Sequence, residues 1–157
     1  MANWINDGDG RKRVIRHDGG RKAAGFKGEA GDCATRAIAI ATGHEYRQVY
    51  DRLNVIIKAA PLGGRKGQKK TSARTGVFRE HVDAYLQEHG WTWVATMQVG
   101  QGCTVHARPD ELPKGRVVLR MSKHYAAAVD GVVHDTFEST RDGTRCVYGY
   151  WKEEAQQ

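Results

Sequence analysis

Three residues of this chain have the types and the order that nucleophilic catalysis asks for: Cys33, His124 and Asp135. A cysteine is a useful nucleophile near neutral pH when its thiolate is stabilised. A helix N-terminus does this with unpaired N–H groups and the positive end of its dipole. Cys33 falls at such a start, because Ala34, Ala37, Ile38 and Ala41 recur at helical spacing behind it. Asp32 is expected to cap the first turn, and Gly43 suits the left-handed position past the last. The same N–H groups could hold the oxyanion of an acyl-transfer intermediate.

The base must come from another element, and the Asp130-Gly131 dipeptide selects it. A two-residue turn there pairs Val129 with Val132, Ala128 with Val133, Ala127 with His134, Ala126 with Asp135 and His124 with Phe137. His124, Ala126 and Asp135 then share one face, the histidine and aspartate as diagonal neighbours roughly 7–8 Å apart at Cα. A carboxylate at that separation can orient an imidazole and stabilise its charged form while the other ring nitrogen faces a thiol. His134 falls on the opposite face. Ala126 and Ala128 are expected to leave room for the small-sided Cys33-Ala34 helix. Each residue also has a purely structural explanation, a buried cysteine or a packed strand histidine, and only the joint pattern favours chemistry.

The elements that must position these groups divide the chain. Residues 1–27 read as an irregular basic arm with at most a short strand around Val14-Ile15; 28–152 form one domain, and 153–157 a tail. After the Cys33 helix, a second carries Tyr46, Val49, Tyr50, Leu53 and Ile57 and ends before Pro61. A Gly- and Lys-rich loop follows from Leu62 to about Arg74. A third helix carries Phe78, Val82, Tyr85 and Leu86, with Thr75 as its cap and Gly90 as its stop. Beyond residue 90 the period changes. Trp91 to Met97, Val117 to Leu119, Tyr125 to Val129, Val132-Val133 and Cys146 to Trp151 are aromatic and β-branched, hence strands. Helices first and strands later predict an α+β fold, with N-terminal helices packed on a C-terminal antiparallel sheet.

In this order, Gly31-Asp32-Cys33-Ala34-Thr35-Arg36-Ala37-Ile38, then Ser122 to Val129, then Val133-His134-Asp135-Thr136, the chain resembles papain-like cysteine peptidases. Most similar is the compact bacterial branch that contains the double-glycine leader peptidases. It also resembles small proteins of bacteria and their phages that carry a GDC-x-x-RAIA-x-ATG segment. The likeness covers roughly residues 28–140. It implies a papain-like fold, with Cys33 as nucleophile, His124 as general base and then acid, and Asp135 orienting it. That family places a Gln several residues before the Cys to complete the oxyanion hole. Here no Gln precedes Gln48, and Lys27 stands near the expected place. Asn3, Asn6 or the Cys33 amide alone are the alternatives.

The expected activity is therefore that of a cysteine-nucleophile hydrolase, a peptidase or amidase acting on a peptide or protein substrate without metal or organic cofactor. The alternative is an inactive papain-like scaffold serving as a binding module, of phage or mobile-element kind; acyl transfer to an amine is a third possibility. The net charge of +7 is concentrated in Arg11-Lys12-Arg13, Arg21-Lys22, Arg65-Lys66 and Lys69-Lys70. These clusters lack aromatic interleaving for stacking bases, so nucleic acid is not expected as the main partner. Cys33, Cys103 and Cys146, widely spaced and odd in number, are expected as reduced thiols outside any zinc site, with Cys103 and Cys146 as bystanders. His44, His81 and His89 are expected at the surface. No apolar run is long enough to span a bilayer, and the first residues lack a signal-peptide layout, so the expected location is the cytoplasm, with no membrane partner.

Overall fold

The computed structural model describes residues 2–28, 30–63 and 70–154. Arg65, Lys66 and Lys69 of the expected basic clusters, and residues 155–157 of the expected tail, lie outside the described residues. The elements run β1 (Trp4–Asn6), β2 (Lys12–Arg16), α1 (Cys33–Thr42), α2 (Tyr46–Ala59), α3 (Arg79–Glu88), β3 (Trp91–Ala95), β4 (Arg116–Met121), β5 (His124–Val129), β6 (Val132–Asp135) and β7 (Gly149–Glu153). The protein is mixed α+β, three helices against one seven-stranded sheet in the order β1-β2-β6-β5-β4-β7-β3.

The Asp130-Gly131 turn is present, with φ of 49° and 86° at its two centres, the positive values a type I′ turn requires. It sets Val129 opposite Val132, Ala128 opposite Val133 and Ala127 opposite His134. The arm departs from expectation. Its residues supply β1 and β2, and β2 pairs parallel with β6, Val14 beside Val133 and Arg16 beside Asp135. The sheet is thus not wholly antiparallel. Val14, the one fully buried residue of β2, anchors the pairing; the short strand lies where Val14-Ile15 suggested one, but two apolar residues among Lys12, Arg13 and Arg16 give no signal for its parallel partner.

Two cores lie on opposite faces of the sheet. Ala34, Ala37 and Ile38 of α1, Val49 and Leu53 of α2 and Val82, Tyr85 and Leu86 of α3 pack with Val118, Ala127 and Trp151. On the other face, Ala126, Ala128, Leu119 and Val133 meet Val14, Ala107, Leu112 and Val147. The body of α1 therefore lies over Ala127, not over Ala126 and Ala128 as the face assignment suggested. A bare methyl row on three consecutive residues offers either face to a helix, and the register alone does not choose.

Several local expectations shift with the loops. Helix α3 starts after Phe78, because Thr75 belongs to a turn closed by the Ser72–Gly76 bridge, where its hydroxyl meets that of Ser72 at 2.8 Å. Cys146 precedes β7 and is bonded to Cys103, so these two are a disulfide and not the expected free thiols. The β-bridge between His106 and Cys146 brings the segments of the two cysteines, 43 residues apart, together in a way their spacing does not announce. His81 is buried, its Nε2–H donating to the Ala60 carbonyl at 2.7 Å, and is not the surface residue expected. Among the described residues no helix is long and apolar enough to cross a membrane.

Candidate active site

Cys33 is the first residue of α1 and His124 the first of β5. Both stand at the ends of their elements, so the thiol and the imidazole meet at the margin of the sheet although the helix body covers the opposite face. A two-residue turn, Ser122 and Lys123, sets Met121 opposite His124 and fixes where β5 begins. His124 Nε2–H donates to Asp135 Oδ2 at 2.7 Å, both residues buried. With Nε2 committed, Nδ1 is the ring nitrogen left for Cys33, and the tautomer is set by the carboxylate.

The electrostatics follow from these contacts. Burial pushes the Cys33 thiol up, but the hydrogen bond and charge of His124, the Tyr125 backbone N–H and the Arg36 charge outweigh it, and its pKa lies below the usual thiol value. Burial pulls His124 down, yet its bonds to Asp135 and Cys33 raise it to about 9. Burial raises Asp135, but His124, Ser139 and the Thr136 N–H bring it below the ordinary carboxylate range. Opposite charges on sulfur and imidazole are the state these groups jointly favour.

Asp32 does not cap α1, which has no side-chain cap at all. Its carboxylate is occupied by a short contact from Arg36, by the Tyr46 hydroxyl at 2.5 Å and by Arg21 at 3.4 Å. The first intrahelical bond is from the Arg36 N–H to the Asp32 carbonyl, so the N–H groups of Cys33, Ala34 and Thr35 have no carbonyl within the helix. An aspartate turned away from the helix end leaves those donors for a thiolate or an oxyanion.

Two residues bonded to Asp135 escaped the sequence reading. Arg36, buried, reaches both Asp32 and, at 3.4 Å, Asp135 Oδ1. Ser139, also buried, donates its hydroxyl to Asp135 Oδ2 at 2.7 Å. An arginine among Ala34, Ala37, Ile38 and Ala41 was the available signal, since a charge on a small-sided buried helix requires a partner. Ser139 offered none, being set by the loop after β6.

Cys33, His124, Asp32 and Arg36 open onto a cleft of about 780 Å³ between the start of α1, the 75–79 segment and the β4–β5 turn. The chain before Cys33 packs closely against the 75–79 wall. A Cβ on Gly31 would stand 3.1 Å from the Thr75 carbonyl, which is why glycine precedes Asp32. Thr35 donates to the Ala73 carbonyl at 2.7 Å and Asn54 accepts from the Ala73 N–H at 2.9 Å, fastening that wall to α1 and α2. Phe137 sets its ring edge-on to His124, centroids 5.2 Å apart, the partner that the hairpin register selects. Asn3 and Asn6, the side chains expected as alternatives to the Gln, do not line the cleft, nor does Lys27, which stands near the place of that Gln. Among the described residues no cluster of His, Cys, Asp or Glu has the makings of a metal site.

No protein-family model, curated protein or solved structure matches this chain.

Proposed function

We propose that the chain is a papain-like cysteine hydrolase, a peptidase or amidase, acting through Cys33, His124 and Asp135. The observation that carries this reading is the 2.7 Å bond from His124 Nε2 to Asp135 in a residue whose other face supports a Cys33 thiol of lowered pKa. A buried cysteine with a merely structural role gains nothing from an imidazolium beside it.

In the proposed reaction the Cys33 thiolate attacks the scissile carbonyl, and the oxyanion is met by N–H groups at the start of α1. His124 passes its Nδ1 proton to the leaving amine, releasing it and leaving an acyl-enzyme. Neutral His124 then takes a proton from water, which attacks the thioester and restores Cys33 with the acid product. Asp135 holds the ring through both steps and stabilises the imidazolium without itself taking the proton.

The test is the pH dependence of iodoacetamide labelling at Cys33 in wild type and His124→Ala, with hydrolysis of a mixed peptide pool by wild type and Cys33→Ala. Labelling well below pH 8.5 that disappears with His124, and hydrolysis that disappears with Cys33, support the reading. Labelling of an ordinary thiol in both proteins would sink it and leave the scaffold as a binding module.

A further inference from the structure

The walls of the cleft carry an uneven charge. Among the described residues Asp32 is its one lining carboxylate, and it is taken up by Arg36 and Arg21. Arg36 is in turn shared with Asp135, which holds His124. That buried set is internally compensated. Arg79, Arg120 and Lys123 also line the cleft, and among the described residues none of the three forms an ion pair with a carboxylate.

The two arginines are held by rings instead. The Arg79 guanidinium lies 4.5 Å from the Trp93 ring centroid and 6.0 Å from that of Trp151. Arg120 lies 5.8 Å from the Tyr148 ring centroid. Stacking fixes a guanidinium through its face and leaves in-plane N–H donors for a planar anion. Arg79 is moreover the first residue of α3, where its charge adds to the positive end of the helix dipole, an arrangement that an incoming anion relieves. Glu80, the next residue, is exposed and does not line the cleft.

From this charge distribution we infer that the cleft takes an acidic peptide segment, with Asp or Glu side chains flanking the bond presented to Cys33, and that Arg79 and Arg120 are its specificity-determining residues. Lys123, exposed on the β4–β5 turn, adds to the attraction at the rim. The inference rests on the hydrolase reading for its substrate, but the charge preference can be measured apart from turnover.

Two measurements separate them. The first is the ratio of Cys33 labelling by iodoacetate to that by iodoacetamide, relative to the same ratio in the unfolded chain. His124 contributes to this ratio in every protein compared, so the decisive figure is the change between wild type and the Arg79→Gln/Arg120→Gln double variant. Wild type is expected to favour the anionic reagent at least about threefold more than the double variant does, and the difference is expected to shrink in high salt. The second uses Cys33→Ala and fluorescent peptide pools fixed as Glu, Gln or Lys at each position about a central amide. The Glu pools are expected to bind about tenfold more tightly than the Gln pools in the wild-type cleft, and equally in one lacking both arginines. An unchanged reagent ratio in the double variant, or no preference for Glu over Gln pools, overturns the inference. Ordinary thiol kinetics at Cys33 with the Glu preference intact would support it while sinking the hydrolase reading alone.

Discussion

Arg36 Nη2 meets Asp135 Oδ1 at 3.4 Å across the boundary between α1 and the sheet, while the same guanidinium holds Asp32 one turn before it. Helix α1, which carries Cys33, and strand β6, whose Asp135 holds His124, are thereby tied through one buried cation. Arg36→Met would leave two buried carboxylates each short of a partner. Breaking a buried pair in this way costs on the order of 3–5 kcal/mol. Chemical denaturation is expected to show a loss of that size, and Cys33 labelling in the folded variant to need a higher pH.

His124 makes stability depend on pH with a definite sign. Its folded pKa is raised to about 9, above the unperturbed value of about 6.5. The stability it contributes is complete below about pH 6.5 and is lost as pH rises through about 9. The stability difference between wild type and His124→Gln is therefore expected to be larger at pH 6 than at pH 9.5. A difference that grows with pH over that range would contradict a charged His124.

Asp135 acts in the opposite sense. Its folded pKa is lowered, so its contribution is present above the ordinary carboxylate range and is lost as pH falls through the lowered value. Asp135→Ala removes the acceptor of His124 and Ser139 together. The expected outcome is a lower imidazole pKa by NMR, a raised thiol pKa at Cys33, and loss of hydrolysis by on the order of 10²–10⁴.

Gly149 opens β7 beneath the Trp93 ring. A Cβ there would stand 2.3 Å from Trp93 ring carbons and 2.7 Å from the Val94 carbonyl oxygen, and the latter cannot swing aside. Gly149→Ala is expected to cost about 1–3 kcal/mol and to disturb the Trp93 ring under Arg79. A thermal melt reads the first effect. The Glu-pool preference reads the second.

The Cys103–Cys146 disulfide closes a loop of sequence separation 43. Replacing both cysteines with serine is expected to lower stability by about 2–4 kcal/mol. In the unreduced protein, peptide mapping should find Cys33 alone alkylated. Labelling of all three at comparable rates without reductant would show the bridge to be absent in solution.

The sequence by itself determined the local and periodic features. Apolar spacing after Cys33 located α1 to within its ends, Gly43 ended it with φ 76°, and Asp130-Gly131 dictated both the β5–β6 turn and its register. From that register alone His124 and Asp135 came out on one face, because the side-chain period of a strand is two. The tertiary structure decided what no periodicity encodes. Ala126, Ala127 and Ala128 present the same methyl on both faces, so only packing against Val14, Ala107 and Val147 on one side and α1 on the other assigned them. Asp32 has the residue type of a cap and the position of one, but a buried arginine and a tyrosine hydroxyl compete for its carboxylate and win. Cys103 and Cys146, and Arg36 and Asp135, are brought together by chain segments distant in sequence, whose meeting depends on the tertiary fold. Such pairings are set by which surfaces must be buried together, and a single sequence records the surfaces without recording the partner.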